Sequence, residues 1–174
     1  MLDYYKKYFN DLATLSADIL HTEESKSFFY VDDKYSIEAF DNAIKSAAKT
    51  PALLLEQYTS DLDDNTNEIH FEHLSGRFTI LLKAIVGDSA SKELARTTAE
   101  GIAQKFLFRM RKDLKDGGII VLPNLSQRKA FFKIQKVSID PVGPINVNYY
   151  GVTVGFIWRC PLLAAVSNLD WTDI

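Results

Sequence analysis

Four residues in one short segment carry the side chains best suited to metal or acid–base chemistry: Glu68, His70, Glu72 and His73. Imidazole and carboxylate groups bind zinc and iron in proteins. The segment alternates in polarity and predicts a strand, in which His70 and His73 point to opposite faces. Glu68, His70 and Glu72 would then share the solvent side of an edge strand. No metal site is predicted, but a small enzyme with an unrecognised site near His70 and His73 stays open as an alternative function.

The other candidate nucleophiles lack a catalytic context. Cys160 is the single cysteine and ends an alternating apolar row, which favours a buried structural cysteine over a nucleophile. No serine stands in a G-x-S-x-G motif, and Gly151-x-x-x-Gly155 falls on a predicted strand rather than in a phosphate-binding loop. We therefore expect no catalytic residue, no cofactor and no metal, and hence a protein that is not an enzyme.

Length and composition indicate one globular domain. The chain has 174 residues, of which 47% are hydrophobic, and this is enough for a sizeable core. The net charge of -3 gives no global case for nucleic-acid binding. The N-terminal residues lack the layout of a signal peptide, and no apolar run approaches the length of a membrane-spanning helix, so no membrane contact is expected.

The hydrophobic periodicity predicts an α+β fold. Helical spacing of apolar residues indicates helices over residues 1–20, from 36 to before Pro51, and over 88–114. Alternating or continuous apolar runs indicate strands over residues 52–58, 68–73, 77–86, 131–139 and 150–160. We expect a mainly antiparallel twisted sheet of about four to six strands, with two to three helices packed on it and a long C-terminal hairpin. The expected organisation is a single domain over 1–174, with an N-terminal helical part (1–48), a sheet plus helix (51–160) and a short tail (161–174).

Turn formers and glycines predict where the strands end. Residues 61–67 form an acidic turn, Gly76 separates two strands, and residues 140–144 (DPVGP) form the turn of the C-terminal hairpin. A change in apolar parity near Gln135 and Lys136 predicts a β-bulge.

Small residues predict close packing between the third helix and the sheet. Gly151, Thr153 and Gly155 share one face of the last strand, which would let that helix approach closely. Gly101 is a weak point within the helix and would mark the same close contact.

Charge is unevenly distributed along the chain. Residues 23–72 contain 12 acidic and 4 basic residues, whereas residues 105–136 contain 9 basic and 2 acidic residues. Such runs indicate either two solvated faces or two complementary patches, which a head-to-tail ring of identical copies requires.

The basic region also leaves open a nucleic-acid-binding module as an alternative function. Its cations alternate with the aromatic residues Phe106, Phe108, Phe131 and Phe132, and this combination can bind a nucleic-acid strand. Phe106 and Phe132 follow the apolar pattern of their own elements, which favours core packing for these two rings.

Four stretches together resemble the small tail-terminator proteins (tail-completion or neck proteins) of tailed phages and prophages. They are PALLLE (51–56), GRFTILLKA (76–84), the helix over 93–113 with KFLFRMRKD (105–113), and IDPVGP (139–144) followed by NYYGVTVGF (148–156). The resemblance implies an α/β subunit of a ring, often a hexamer, that ends the tail tube and contacts the head connector. It also implies that DNA passes through the ring without sequence reading, that assembly occurs in the bacterial host cytoplasm, and that the mature protein resides in the virion.

The charge runs and the predicted hairpin turn provide the candidate contact residues. We expect the interface to include Asp61, Asp63, Asp64, Arg109, Arg111, Lys112, Lys133, Lys136, Asp140, Pro141, Pro144, Asn146 and Asn148.

Overall fold

The structure is a computed structural model that describes residues 2–32, 45, 50–63, 70–115, 131–132 and 136–162. Its elements are helix α1 (Leu2–Leu15), strands β1 (Phe28–Val31), β2 (Ala52–Glu56), β3 (Thr59–Asp63) and β4 (His70–Lys83), helix α2 (Ser89–Lys115), and strands β5 (Phe131–Phe132), β6 (Ser138–Ile145) and β7 (Tyr149–Leu162). The helix predicted from residue 36 to before Pro51 lies largely outside the described residues, as does the tail after residue 162.

Two 14-residue strands, β4 and β7, form the centre of the sheet. They pair antiparallel along their whole length, from His70 opposite Leu162 to Lys83 opposite Tyr149. β2 and β3 pair with the other edge of β4, β5 and β6 pair with the other edge of β7, and β1 joins β2 in parallel. The predicted α+β class, mainly antiparallel sheet and C-terminal hairpin are confirmed, with seven strands in the described part of the chain.

Both described helices pack on one face of this sheet. In α1 the buried residues Tyr5, Phe9 and Leu12 recur at spacings of four and three, as a core-facing helix requires. The rings of Tyr5 and Phe9 meet Phe156 and Trp158 of β7 in an aromatic cluster. α2 buries one side along most of its length: Ala95, Ala99, Ile102, Ala103, Phe106, Leu107 and Met110. Neither helix combines the length and the apolar composition needed to cross a bilayer.

The turn of the C-terminal hairpin lies at residues 146–148, so the predicted turn at 140–144 is wrong. Asp140, Pro141 and Pro144 belong instead to β6, which pairs with β7. Proline is tolerated in a strand at the edge of a sheet, because its missing N–H then need not enter a ladder. The pairing register shifts around Gly143, which has a φ of 113°, so this segment forms an irregularity within the strand.

The acidic turn and the strand break at Gly76 are also corrected. Asp61 and Asp63 lie in β3, and Gly76 lies inside the continuous strand β4. A Cβ at Gly76 would collide with the ring of Phe156 and would lie 2.8 Å from the hydroxyl of Tyr5. The glycine therefore makes room for the aromatic core and does not end the strand.

The junction between β5 and β6 is longer than the predicted bulge. Phe132 lies opposite Trp158, and Ser138 lies opposite Gly155. Six steps along one segment therefore span three steps of β7. Lys136 lies in this junction and is exposed, whereas Gln135 falls outside the described residues.

The small residues of β7 face away from the helices, which corrects the predicted approach of the third helix. The hydroxyl of Thr153 lies 2.8 Å from that of Thr79 on β4. A Cβ at Gly151 would collide with the backbone of Ile80, so close contact between strands requires this glycine. The same face holds a separate buried cluster: Val31, Ala52, Leu54 and Leu81.

Candidate functional site

The segment with the two histidines lies on the central strand β4 and not on an edge. His73 is opposite Arg159 of β7 and Asp61 of β3. The guanidinium of Arg159 lies 3.5 Å from the ring centroid of Phe71, and this cation beside His73 disfavours the binding of a metal cation. In the described part of the chain, no three His, Cys, Asp or Glu side chains are grouped so that they could hold a metal ion.

The carboxylates of the same segment do not complete a site around His73. Glu72 points to the other face of β4, where its Oε1 accepts a hydrogen bond of 2.7 Å from the hydroxyl of Ser60. Glu68 and the side chains of His70 and Cys160 lie outside the described residues. The alternative of a small enzyme therefore gains no support from the described neighbours of His73.

One end of the sheet carries an exposed apolar surface formed by Ile85, Val86 and Val147, which we call the apolar tip. The exposed fractions of these side chains are 66%, 67% and 74%. The main chain holds the two contributing loops together, because the N–H of Ala84 donates to the carbonyl of Asn148 at 2.8 Å. Three branched aliphatic side chains are thus exposed to water at one place, as is typical of a contact surface.

Backbone strain is located in the same tip. Asn146 and Val147 have φ values of 43° and 76°. The left-handed region suits asparagine but is unfavourable for β-branched valine, at a cost of about 1–3 kcal/mol. The turn is closed by the N–H of Asn148, which donates to the carbonyl of Asn146 at 3.0 Å. Because Val147 is exposed, packing within the described fold does not explain why valine occupies this strained position.

The outer face of α2 carries a second candidate surface, the basic stripe, formed by Phe108, Arg111, Lys112 and Lys115. Intervals of three, four and seven residues put these side chains on one side of the helix. All four are exposed, and 63% of Phe108 is accessible to water. The dipole at a helix C-terminus accounts for cations in this place, but it does not account for an exposed phenylalanine among them.

Two other cations of α2 serve the fold. Lys105 Nζ lies 2.8 Å from the carboxylate of Asp18, and Arg109 Nε lies 2.8 Å from Oδ1 of Asp113. The hydroxyl of Tyr8 donates to Oδ2 of the same Asp113 at 3.0 Å. Burial, together with the negative charge of Asp113, raises the pKa of Tyr8 and so keeps its hydroxyl protonated. The bond from Tyr8 connects α1 to α2, and Lys105 reaches the turn that follows α1. Because Lys105 and Arg109 are ion-paired, they differ from the cations of the basic stripe.

Two grooves in the described part of the chain are too small for most ligands. One, of about 260 Å³, lies between the end of α1 and α2, with Leu15 and Phe106 in its lining. The other, of about 240 Å³, lies beside the β5–β6 junction and is lined in part by Lys136, Arg77 and Glu56, the last two forming an ion pair of 3.7 Å. Ligand pockets usually measure roughly 300–1,000 Å³, so neither groove supports a small-molecule site.

The predicted contact residues are divided among several surfaces. On α2 lie Arg109, Arg111 and Lys112. In β6 lie Asp140, Pro141 and Pro144, all exposed, and in the turn of the apolar tip lie Asn146 and Asn148. In β3 lie Asp61 and Asp63. Outside the described residues lie Asp64 and Lys133. The set therefore does not form one patch, although part of it coincides with the tip and part with the stripe.

Comparisons with known proteins add no further constraint, since no protein-family model and no curated protein matches this sequence.

Sequence reasoning placed a contact site in the hairpin but missed Ile85 and Val86, whose approach to the turn depends on the pairing of β4 with β7. The exposure of Phe108 can be predicted from the sequence, because this residue lies off the apolar side of α2 that Phe106 and Met110 define.

Proposed function

We propose that this chain is a non-enzymatic structural protein of a phage or prophage-derived tail, a ring-forming terminator or neck component. It would cap the tail tube and join it to the head, after assembly in the bacterial host cytoplasm, and would reside in the virion. Its partners would be further copies of itself, in a ring such as a hexamer, and the tail-tube and head-connector proteins. DNA would pass through the ring without sequence reading. The observation that carries this proposal is the apolar tip.

The tip has the properties of a surface that is buried by another chain. Ile85, Val86 and Val147 are each about two-thirds exposed or more, and the valine at the turn has a strained φ. Exposed apolar side chains favour neither the stability nor the solubility of the monomer. Burial of the same side chains against a partner recovers the hydrophobic free energy. In the proposed ring the tip meets a different surface of the next copy, and such head-to-tail contacts close into rings when the rotation permits.

The resemblance to tail-terminator proteins supports the same function. The stretches that carry it lie in β2, β4, α2 and the β6–β7 hairpin, and they border both loops of the tip, since they end at Ala84 and Pro144 and resume at Asn148. The proposal therefore assigns the hairpin a role in contact, with the core supplied by the rest of the sheet and the helices.

Two measurements test the proposal. Sedimentation velocity over a range of protein and salt concentrations should show a ring-sized species. Elongation of tubes made from the tail-tube protein of the same phage or prophage genome should stop when this chain is added. Val147→Asp should weaken both effects, because a charge cannot be buried in an apolar contact. Leu62→Asp is the matched control, since Leu62 is 69% exposed and lies on β3, away from the tip.

The outcomes are distinguishable. A chain that is monomeric alone but stops tube growth supports assembly on the tube. A chain that stays monomeric at high concentration and also fails to stop tube growth overturns the proposal. Equal losses in the Val147 and Leu62 variants would overturn the role of the tip.

A further inference from the structure

We propose that the basic stripe of α2 binds single-stranded nucleic acid through its phosphates and through one stacked base. This site does not depend on the proposed ring, because it lies on the outer face of a helix in each copy. The residues are Phe108, Arg111, Lys112 and Lys115, all of them exposed.

The charges of the stripe are available to a ligand. In the described structure Lys105 and Arg109 are ion-paired with Asp18 and Asp113, whereas Arg111, Lys112 and Lys115 form no such pair. Asp113 is the one acidic residue between positions 105 and 115, and its carboxylate contacts Tyr8 of α1 and Arg109 of the same helix. Three positive charges are therefore concentrated on a chain whose net charge is -3, so attraction of a polyanion must be local.

The dimensions fit a short stretch of one strand. Phe108 and Lys115 are seven residues apart, which is about 10.5 Å along the helix axis. The three cations lie within about the last 6 Å of this length, so they can meet the phosphates of a few consecutive nucleotides while the ring of Phe108 meets a base. The exposed ring of Phe108 at one end provides a stacking platform, and stacking requires a base whose face is not covered by duplex neighbours. This favours an unpaired strand over a duplex.

Gly101 extends the accessible face towards the start of α2. It is exposed two turns before Phe108, and a Cβ added there would meet nothing within 4 Å. The predicted close packing of Gly101 on the sheet is therefore wrong. A glycine inside an exposed helix costs about 1 kcal/mol relative to alanine. Internal packing does not explain why a glycine occupies position 101, whereas a ligand that approaches the helix backbone there would explain it.

Fluorescence anisotropy with labelled oligothymidylate of about 12 nucleotides measures the binding. Three phosphate contacts predict a slope of log K against log salt of about -2, or about an 18-fold loss of affinity between about 50 and 200 mM salt. The variant Arg111→Ala/Lys112→Ala/Lys115→Ala should abolish most of this slope. The control Lys26→Ala/Lys45→Ala/Lys83→Ala removes the same charge from exposed positions outside the stripe and should keep the slope.

Stacking is tested separately with an abasic strand of equal length and charge. Phe108→Ala should weaken binding to oligothymidylate by about 5- to 150-fold and leave binding to the abasic strand unchanged. Leu94→Ala is the control, because Leu94 is 68% exposed on the same helix but lies about 21 Å from Phe108 along the axis.

Further probes are oligouridylate and a DNA duplex of the same length. Tighter binding to either single strand supports the proposal and identifies DNA or RNA as the ligand. Preference for the duplex, equal slopes for the two triple variants, or an equal effect of Phe108→Ala on normal and abasic strands would each overturn it.

Discussion

Substitution of Val147 by asparagine separates the backbone strain that the apolar tip imposes on the monomer from the proposed role of the tip in assembly. Val147 has a φ of 76° and is 74% exposed, so it contributes strain but little burial to the folded chain. Asparagine tolerates the left-handed region because its short polar side chain bonds locally. Val147→Asn should therefore stabilise the isolated fold and, under the proposed function, weaken assembly.

The size of the effect follows from two terms. Removing the strain of a valine in the left-handed region should raise the free energy of unfolding by about 1–3 kcal/mol. About a quarter of the Val147 side chain is shielded from water. Its removal therefore loses about a quarter of the free energy of full burial, which is about 0.4–0.8 kcal/mol. The expected net gain is about 1 kcal/mol, which corresponds to a Tm about 2–4 °C higher in a chain of this size.

Thermal unfolding by circular dichroism and urea titration measure this gain. Val86→Asn is the matched control, because Val86 is 67% exposed in the same tip and is not among the residues of positive φ. The control should show no gain. A Val147→Asn variant that is less stable than the parent, or a Val86→Asn variant that gains equally, would contradict the assignment of strain to Val147.

Two further predictions concern positions away from the tip. Gly101→Ala should raise stability by about 0.5–1 kcal/mol in urea unfolding, because its new methyl group enters open space; a loss of stability would show an unseen close contact. His21 Nδ1 accepts hydrogen bonds from the N–H groups of Ser27 at 3.1 Å and Phe28 at 3.3 Å, and burial, followed by the charge of Lys26, lowers its pKa below 6.5. The unfolded chain then binds the proton more readily, so this contribution to stability is complete above pH 6.5 and is lost as the pH falls through the lowered pKa. His21→Asn should reduce that pH dependence, and an unchanged profile would refute the assignment.

Local periodicity was sufficient for much of the fold. The predicted apolar stripe of α2 is buried at Ala95, Ala99, Ile102 and the residues that continue it, because 3.6-residue spacing directly encodes one helix face. The alternating row of β7 is likewise buried from Tyr150 to Trp158.

Turns and strand ends were less predictable because their signals depend on position in the sheet. Pro141 and Pro144 are compatible with an edge strand, and Gly76 fits the middle of a strand because aromatic side chains fill its space. Neither condition can be judged before the partners across the sheet are known.

The candidate surfaces show the same division. The stripe residues Arg111 and Lys112 were in the predicted contact set, since helical spacing and charge are local properties. The apolar tip needed tertiary pairing, because Ile85 and Val147 are distant in sequence and their loops come together only through the pairing of β4 with β7. The strain at Val147 also had no local signal, since nothing in its residue type favours a left-handed conformation.

The pairing of β4 with β7 has a consequence for biosynthesis. Among the residue pairs between β4 and β7, Lys83 and Tyr149 are nearest in sequence, and they are 66 positions apart. At about 5–20 residues per second, a ribosome needs about 3–13 s to reach the start of β7 after completing β4. During that interval one edge of a 14-residue strand has no β7 partner, and its Phe78 and Ile80 side chains, fully buried in the fold, lack part of their cover. The nascent chain is therefore exposed to aggregation in this window, so slower initiation or a chaperone bound to β4 should raise its soluble yield.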